Sequence, residues 1–311
     1  MSASRELYYC AAAAAARTEP RYGTASIGDV WLLLEYPYWW GTRPFEQSAL
    51  PGPVKAHLRR ALAALPRARL LLVKQDKPRR PRLSLFVART RERDSFVAEL
   101  SFAAYEELTR VDFAALVAHP RAAGATMRTE LYLVCTNGRR DKCCAKFGYP
   151  LYKTLRAAGE ADVWQCTHVG GDRFAANLVC LPDGLFYAHV TDGDAPALLA
   201  AYRERRIVLD KFRGRACFAH AVQAAEYFVR AESGLTALAD LRLQARARVA
   251  ADRWRVSFVA PGAGRVYETV ISTRPSVAHY RLTCAAADER SVELFHLEDY
   301  RVTSERPRAQ A

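Results

Sequence analysis

The fold class follows most directly from the stretch Leu131-Tyr-Leu-Val-Cys135-Thr-Asn-Gly-Arg-Arg-Asp-Lys-Cys143-Cys144. Its first four residues are apolar and predict a short buried strand, which runs into a loop that carries cysteines. Residues 145–158 contain leucines four positions apart and are followed by Gly159, so they predict a helix. A strand, a loop and a helix in this order are typical of an α/β fold.

Three further strands and a second helix are predicted behind this helix. The strands are residues 161–165, 176–181 and 185–190. Pro182-Asp183-Gly184 between the last two indicates a hairpin, and Asp192 or Asp194 caps the helix that follows. The order β-α-β-β-β-α is compatible with a thioredoxin-like layer of helices on a mixed sheet.

The same order is predicted once earlier in the chain. Its strands are residues 31–36, 69–74, 83–89 and 96–102, and its helices are residues 53–64 and 105–118. The corresponding loops contain no cysteine, and residues 36–41 form an aromatic loop that we interpret as a packing element. We therefore expect a tandem of two thioredoxin-like halves in which only the second carries a site. Chance recurrence of a common α/β order is the alternative.

The end of the chain changes character. Residues 214–232 predict a helix, and residues 254–260, 265–272 and 279–284 predict strands of a small β-rich module. The predicted division is residues 1–122 for the first half, 123–235 for the half with the cysteine loops, and 236–311 for the module. Residues 304–311 are predicted to be disordered.

The bulk composition limits the function classes. The chain of 311 residues carries a net charge of +13, partly in the arginine-rich stretch 74–82. Such charge could attract nucleic acid, an anionic membrane or an acidic protein, but mixed arginine and acidic residues also suit a solvated surface. No recognition helix accompanies it, so we predict no specific nucleic-acid site. No apolar run is long enough to span a membrane, and residues 1–21 predict a helix rather than a signal peptide.

Cysteine usage points to an inorganic site. Eight cysteines are too few for a disulfide scaffold in a chain of this length, and their clustering favours metal or redox chemistry in the cytoplasm. The second cysteine loop is Cys166-Thr-His168-Val-Gly170-Gly171-Asp172. Thiolates with an imidazole suit zinc or an iron–sulfur cluster. Cys180, Cys217 and Cys284 are predicted to be small buried residues.

A two-iron cluster needs four protein ligands, usually thiolates and sometimes imidazoles. Eight residues separate Cys135 from Cys144, enough for a loop to curl around an inorganic core. Cys143 is the alternative to its neighbour Cys144. Adjacent cysteines rarely bind the same iron, because successive side chains diverge. Arg140 and its basic neighbours are expected to compensate the negative charge of thiolates.

The second loop also contributes to this interpretation. Gly170 and Gly171 would let the backbone pass close to a bulky centre, where a Cβ would clash. Asn177 is expected to tie the loop back through hydrogen bonds.

Both loops resemble those of the sucrase/ferredoxin-like proteins, relatives of the thioredoxin-like two-iron ferredoxins. The matching residues are Cys135, Arg140-Asp141, Cys144 and His168-Val-Gly170-Gly171-Asp172-Arg-Phe-Ala-Ala-Asn177. The entry Trp31-Leu-Leu-Leu-Glu35 and the Trp39-Trp40-Gly41 loop are also similar to that family. The resemblance covers about residues 8–235, and it implies a [2Fe–2S] cluster in a thioredoxin-like domain.

Asp172 stands where family members with two histidine ligands have the second histidine. Cys166 lies two residues before His168, on the same side of an extended segment, and could supply a third thiolate. The predicted ligands are therefore Cys135, Cys144, Cys166 and His168. Asp172 would support His168 from outside the ligand set, or would itself be the fourth ligand.

The resemblance implies an electron-transfer protein, more a redox carrier than a catalyst of its own. Its basic surface would suit an acidic redox partner such as a flavoprotein or ferredoxin. Two alternatives remain at this stage. One is a dithiol/disulfide oxidoreductase that uses Cys143 and Cys144, or Cys135. The other is a structural zinc site in a binding module.

Overall fold

A computed structural model describes residues 8–76, 81–160 and 162–304. Within them the chain forms an α/β fold with a ten-stranded mixed sheet and a separate four-stranded antiparallel sheet. The strands are β1 (Val30–Glu35), β2 (Ala68–Lys74), β3 (Leu83–Arg89), β4 (Phe96–Phe102), β5 (Thr126–Arg128), β6 (Leu131–Cys135), β7 (Val163–Cys166), β8 (Leu178–Leu181), β9 (Leu185–Tyr187), β10 (Phe212–Arg215), β11 (Arg242–Ala250), β12 (Arg253–Ala260), β13 (Arg265–Pro275) and β14 (Glu293–Ser304). The helices are α1 (Cys10–Ala16), α2 (Pro44–Gln47), α3 (Gly52–Ala64), α4 (Phe113–Ala118), α5 (Lys142–Ala157), α6 (Ala195–Arg203) and α7 (His220–Ser233). The predicted α/β class is confirmed.

The large sheet has the order β10-β9-β8-β6-β7-β2-β1-β3-β4-β5. In its first half β1 pairs parallel with β2 and antiparallel with β3, and in its second half β6 pairs parallel with β7 and antiparallel with β8. Both halves continue through two more antiparallel neighbours, β4 and β5 or β9 and β10. The strand order predicted to occur twice therefore has the same pairing scheme in both halves.

The halves join where β2 runs antiparallel to β7. Val73 pairs with Cys166 there, and Thr167 donates its backbone N–H to the Leu72 carbonyl over 2.9 Å. One face of the sheet around this join is a continuous apolar core with residues from both halves, including Trp31, Leu133 and Trp164. Helices α3 and α4 cover the other face of the first half, and α5 and α6 that of the second. The cysteine loops therefore lie near the centre of the large sheet.

The C-terminal strands form the meander β11-β12-β13-β14, which packs on α7. Helix α7 is held to β10 by a buried carboxylate, Glu226, which lies 2.7 Å from an Arg215 nitrogen and 3.0 Å from an Arg230 nitrogen. None of the described helices is long and apolar enough to cross a membrane.

Three predicted elements differ from the structure. The helix predicted at 105–118 is divided, because Asp112 accepts a hydrogen bond from the Ala115 N–H and so starts α4 separately from the 3₁₀ turn at Tyr105–Arg110. The helix predicted at 214–232 begins only at His220, since residues 214 and 215 belong to β10.

The third difference lies in the C-terminal sheet. Residues 279–284 are not a strand, and the outer strands are β11 and β14 instead. Strand β11 alternates arginine with alanine and is almost wholly exposed, so it carries no hydrophobic signal.

Some predictions fall on residues outside the described ranges. These are residues 1–7 of the N-terminal helix prediction, residues 77–80 of the basic stretch, residue 161, and residues 305–311 of the predicted disordered tail. Within the described part, α1 covers Cys10–Ala16 and lies against residues 172–174 of the second half. The boundaries at 122/123 and 235/236 stay predictions.

Candidate metal centre

The predicted site residues lie at the carboxyl ends of two central strands of the large sheet. Strands β6 and β7 are parallel neighbours that end at Cys135 and Cys166, and these two residues are paired across the strands. Helix α5 begins beside these strand ends and carries Cys144 in its first turn. Asp141 caps the helix, because its carboxylate accepts a hydrogen bond of 2.8 Å from the Cys143 N–H.

Three of the four predicted ligands form a compact group. The sulfurs of Cys135 and Cys144 and a ring nitrogen of His168 all lie within 4.8 Å of one another. Cys144 Sγ lies 4.0 Å from His168 Nδ1. Both thiols are buried, whereas the His168 side chain retains 22 % of its exposure. The His168 imidazole is therefore the member of this group that is exposed to solvent.

Asp172 contacts the same group. Its Oδ1 atom lies 3.4 Å from Cys144 Sγ and 3.0 Å from His168 Nδ1, and the residue is buried. The carboxylate thus faces the same imidazole nitrogen that faces the Cys144 sulfur. A carboxylate that only orients a ligating histidine usually binds the other ring nitrogen.

Cys166 is close in the fold but differently placed. It is fully buried in the apolar core beside Cys135, with Val73 opposite it on β2. Among the described residues, the compact group of Cys135, Cys144 and His168 includes neither Cys166 nor Asp172.

The electrostatics of the group favour a thiolate at Cys135. The hydrogen bond from the Cys144 thiol, helped by His168, lowers the pKa of Cys135 to about 5 against the opposing effect of burial. The same hydrogen bond raises the pKa of the Cys144 thiol well above its usual value. Burial disfavours the charged imidazole, but the hydrogen bond to Asp172 and the Cys135 thiolate raise the pKa of His168 to about 9. A thiolate beside an imidazole is a suitable starting point for metal binding.

The glycines of the second loop pack closely against protein side chains, Ser26 at Gly170 and Arg213 at Gly171, and the predicted approach to a bulky centre stays a prediction. Gly170 and Gly171 have φ values of +94° and +81°, a backbone conformation that residues with a side chain rarely adopt. A Cβ on Gly171 would come within 2.5 Å of the Arg213 guanidinium. Asn177 Nδ2 donates to the Gly171 carbonyl over 2.9 Å, so this residue does tie the loop back.

Arg213 is a buried residue beside the candidate site that the sequence did not single out. It is fully buried and donates to the Gly170 carbonyl over 3.0 Å and to Asn177 Oδ1 over 2.7 Å. Burial, together with nearby Arg173, lowers the pKa of Arg213 to about 9. The sequence predicts no strand at Phe212–Arg215, so the direction of the Arg213 side chain could not be predicted. By contrast Arg140, predicted to compensate thiolate charge, is exposed.

The adjacent cysteines of the first loop face different surroundings. Cys144 belongs to the group with Cys135, whereas Cys143 Sγ lies 3.2 Å from Cys284 Sγ and 3.6 Å from Cys10 Sγ. Cys180 is buried as predicted, but Cys217 and Cys284 are only half-buried. The expectation that Cys284 is simply a small buried residue is wrong, because the chain after β13 brings it to the start of α5.

Comparisons with known proteins bear on this site. The family model described as sucrase/ferredoxin-like matches residues 22–214. The chain is also 29% identical over 96 residues to the altered inheritance of mitochondria protein 32 of Meyerozyma guilliermondii. That match covers 27% of this chain and 34% of the yeast protein, so the chain spans about a third of its relative. No solved structure matches the chain.

Proposed function

We propose that the protein holds a [2Fe–2S] cluster and acts as a redox carrier. The first support is its family, since the chain belongs to the sucrase/ferredoxin-like proteins. The observation that carries the proposal is the compact group of Cys135, Cys144 and His168 at the ends of β6 and β7. Two thiolates and an imidazole are donors that iron–sulfur clusters accept. The proposed architecture around them is a tandem of thioredoxin-like halves.

Cys135, Cys144 and His168 would supply three ligands, and Asp172 or Cys166 the fourth. The contacts favour Asp172, since its carboxylate is within 3.4 Å of both Cys144 and His168. Cys166 remains an alternative because it is the neighbour of Cys135 on the next strand.

When bound, the cluster supplies a one-electron couple, and a histidine ligand raises its potential relative to an all-thiolate cluster. The chain itself buries the two thiols and keeps His168 at the surface edge. The buried Arg213 would balance part of the negative charge while it holds Gly170 and Asn177 in place. A redox partner would therefore approach at His168, and the net charge of +13 suits an acidic one.

The contacts give less support to a dithiol made of Cys143 and Cys144, because their sulfurs belong to two different groups. A dithiol made of Cys135 and Cys144 stays a second candidate, since their sulfurs belong to one group and the Cys144 thiol lowers the pKa of Cys135. A structural zinc ion at Cys135, Cys144 and His168 would use the same donors as the cluster, so metal analysis has to separate the two.

Purification without oxygen tests the proposal directly. We expect a brown-red protein with about two irons and two inorganic sulfides per chain, whose visible absorbance bleaches on reduction. A colourless protein with about one zinc bound through Cys135 and Cys144 would overturn the ferredoxin function.

A further inference from the structure

A second cysteine group lies behind the first turn of α5. The sulfurs of Cys10, Cys143 and Cys284 are separated by 3.2 Å, 3.5 Å and 3.6 Å, which makes a nearly equilateral triangle. Both Asp141 carboxylate oxygens lie 3.9 Å from Cys10 Sγ. The four ligand atoms are all within 4.8 Å of one another.

The members of this group come from distant parts of the chain. Cys10 begins α1, Asp141 and Cys143 start α5, and Cys284 belongs to the segment between β13 and β14. Cys10 and Cys143 are 133 positions apart in the sequence, and Cys143 and Cys284 are 141 positions apart. The group therefore joins three segments that otherwise belong to different layers.

The triangle has the size of a metal–thiolate site. Zinc binds thiolates at about 2.3 Å in a tetrahedral arrangement, which sets sulfurs about 3.8 Å apart. The observed separations of 3.2–3.6 Å need to widen only slightly to meet this value. A carboxylate oxygen at about 2.1 Å from the same ion would lie about 3.6 Å from each sulfur, close to the observed 3.9 Å to Cys10.

Backbone N–H groups already point at these ligand atoms. Ala11 donates to Cys143 Sγ and Cys10 donates to Cys284 Sγ, each over 3.4 Å. Cys284 donates its N–H to Asp141 Oδ2 over 2.5 Å. These donors stabilise negative charge on the sulfurs and the carboxylate and fix their orientation.

We propose that Cys10, Cys143, Cys284 and Asp141 bind one Zn²⁺ ion as a structural site, separate from the iron–sulfur site. Binding exchanges three thiol protons for three zinc–sulfur bonds and involves no change of oxidation state. The ion would fasten α1 and the Cys284 segment to the first turn of α5. That turn also carries Cys144, whose sulfur belongs to the first group and not to this one.

The triangle also distinguishes this site from a disulfide. Each of the three sulfurs has two sulfur neighbours at similar distances. A disulfide between any two would leave the third thiol unpaired, whereas one ion uses all three.

The experiment uses the full chain in a Cys135→Ser/Cys144→Ser background, which removes the thiolates of the first site. The protein is stripped of metal under reducing conditions and titrated with Co²⁺, then with Zn²⁺. We expect a thiolate-to-cobalt charge-transfer band that saturates at about one Co²⁺ per chain and is lost when zinc displaces it. Adding Cys284→Ser, which alters a half-buried position, should weaken the band strongly, and adding Cys217→Ser should leave it unchanged.

Native mass spectrometry of the unsubstituted chain supplies a second measurement if the background variant does not fold. We expect one zinc that Cys284→Ser loses and Cys217→Ser keeps. The proposal would be overturned by absence of bound zinc or by zinc binding that Cys284→Ser leaves intact. It would also be overturned by a zinc-free chain whose mass is lower by two hydrogens, which indicates a disulfide. In Cys284→Ser protein the iron content and brown-red colour should remain, so failure of this site is distinguishable from failure of the redox function.

Discussion

The two halves of the large sheet pair their strands alike but end their first strands with different chemistry. In the first half β1 ends at Glu35, paired with Val73, whereas in the second half β6 ends at Cys135, paired with Cys166. The Glu35 carboxylate accepts the Ser84 N–H over 2.9 Å and so serves the sheet itself. The same strand arrangement thus forms in the first half without thiols at the strand ends.

The loops that follow these strands differ in the same sense. In the first half Trp40 is buried and donates to the Tyr36 carbonyl over 3.2 Å, so an aromatic residue fills the edge of the sheet. In the second half a shorter loop leads into α5, and the edge holds two thiols, an imidazole and a carboxylate. The strand ends of the first half are covered by a packed aromatic side chain, and those of the second half are lined by potential ligand atoms.

The largest expected effect is loss of the cluster from the second half. Cys135→Ser or Cys144→Ser should lower the iron content from about two per chain to nearly zero, because a hydroxyl is a poor ligand for iron–sulfide. Cys143→Ser and Glu35→Gln are the matched controls and should keep the colour. Iron analysis and circular dichroism of the four variants would show whether the sheet persists without the cluster, with a lower melting temperature. Loss of colour in Glu35→Gln would refute the division of roles between the halves.

The fourth ligand can be assigned by replacing one residue of the second half with its counterpart from the first half. Cys166→Val installs the residue that occupies the paired position in β2, where Val73 lies. If Asp172 is the fourth ligand, Cys166→Val should keep the visible spectrum and Asp172→Ala should lose it. The opposite pair of spectra would assign the role to Cys166, as the sequence alone predicted.

The aromatic loop allows a test of packing in the first half. Trp40→Ala should destabilise the protein by about 3–5 kcal/mol, the usual cost of removing a large buried aromatic side chain. Trp39 is 62% exposed, so Trp39→Ala should change the free energy of unfolding by less than about 0.5 kcal/mol. Urea unfolding measures both values. Equal effects would show that the loop does not close this edge through Trp40.

Sequence reasoning recovered the parts of the fold that local pattern determines. The strands at 83–89 and 96–102 were predicted with the bounds that the structure shows, and the hairpin at Pro182-Asp183-Gly184 joins β8 to β9. Apolar periodicity and turn residues act over a few positions, so they are readable in one sequence. Strand β11 was missed because its arginine–alanine alternation buries almost nothing.

The candidate site was predictable only where its members share a loop. Cys135, Cys144 and His168 were named from two short segments, and the structure brings them together. Arg213 and Cys284 reach the same region through long-range packing, which leaves no local trace in the sequence. The divergence of Cys143 from Cys144 follows from their adjacent positions, but the partners of Cys143, which come from α1 and the C-terminal segment, likewise leave no local trace.

The smallest predicted effect concerns Glu35, the counterpart of Cys135. Glu35→Ala should cost about 1–3 kcal/mol, because it removes the acceptor of the buried Ser84 N–H. Glu35→Gln should cost less, since its amide oxygen can still accept that hydrogen bond. Urea unfolding gives both free energies, and the visible spectrum should be unchanged in both variants, because Ser84 belongs to β3 in the first half. A spectral change in Glu35→Ala would mean that the two strand ends are coupled across the β2–β7 join, and the halves would then have to be treated as one site.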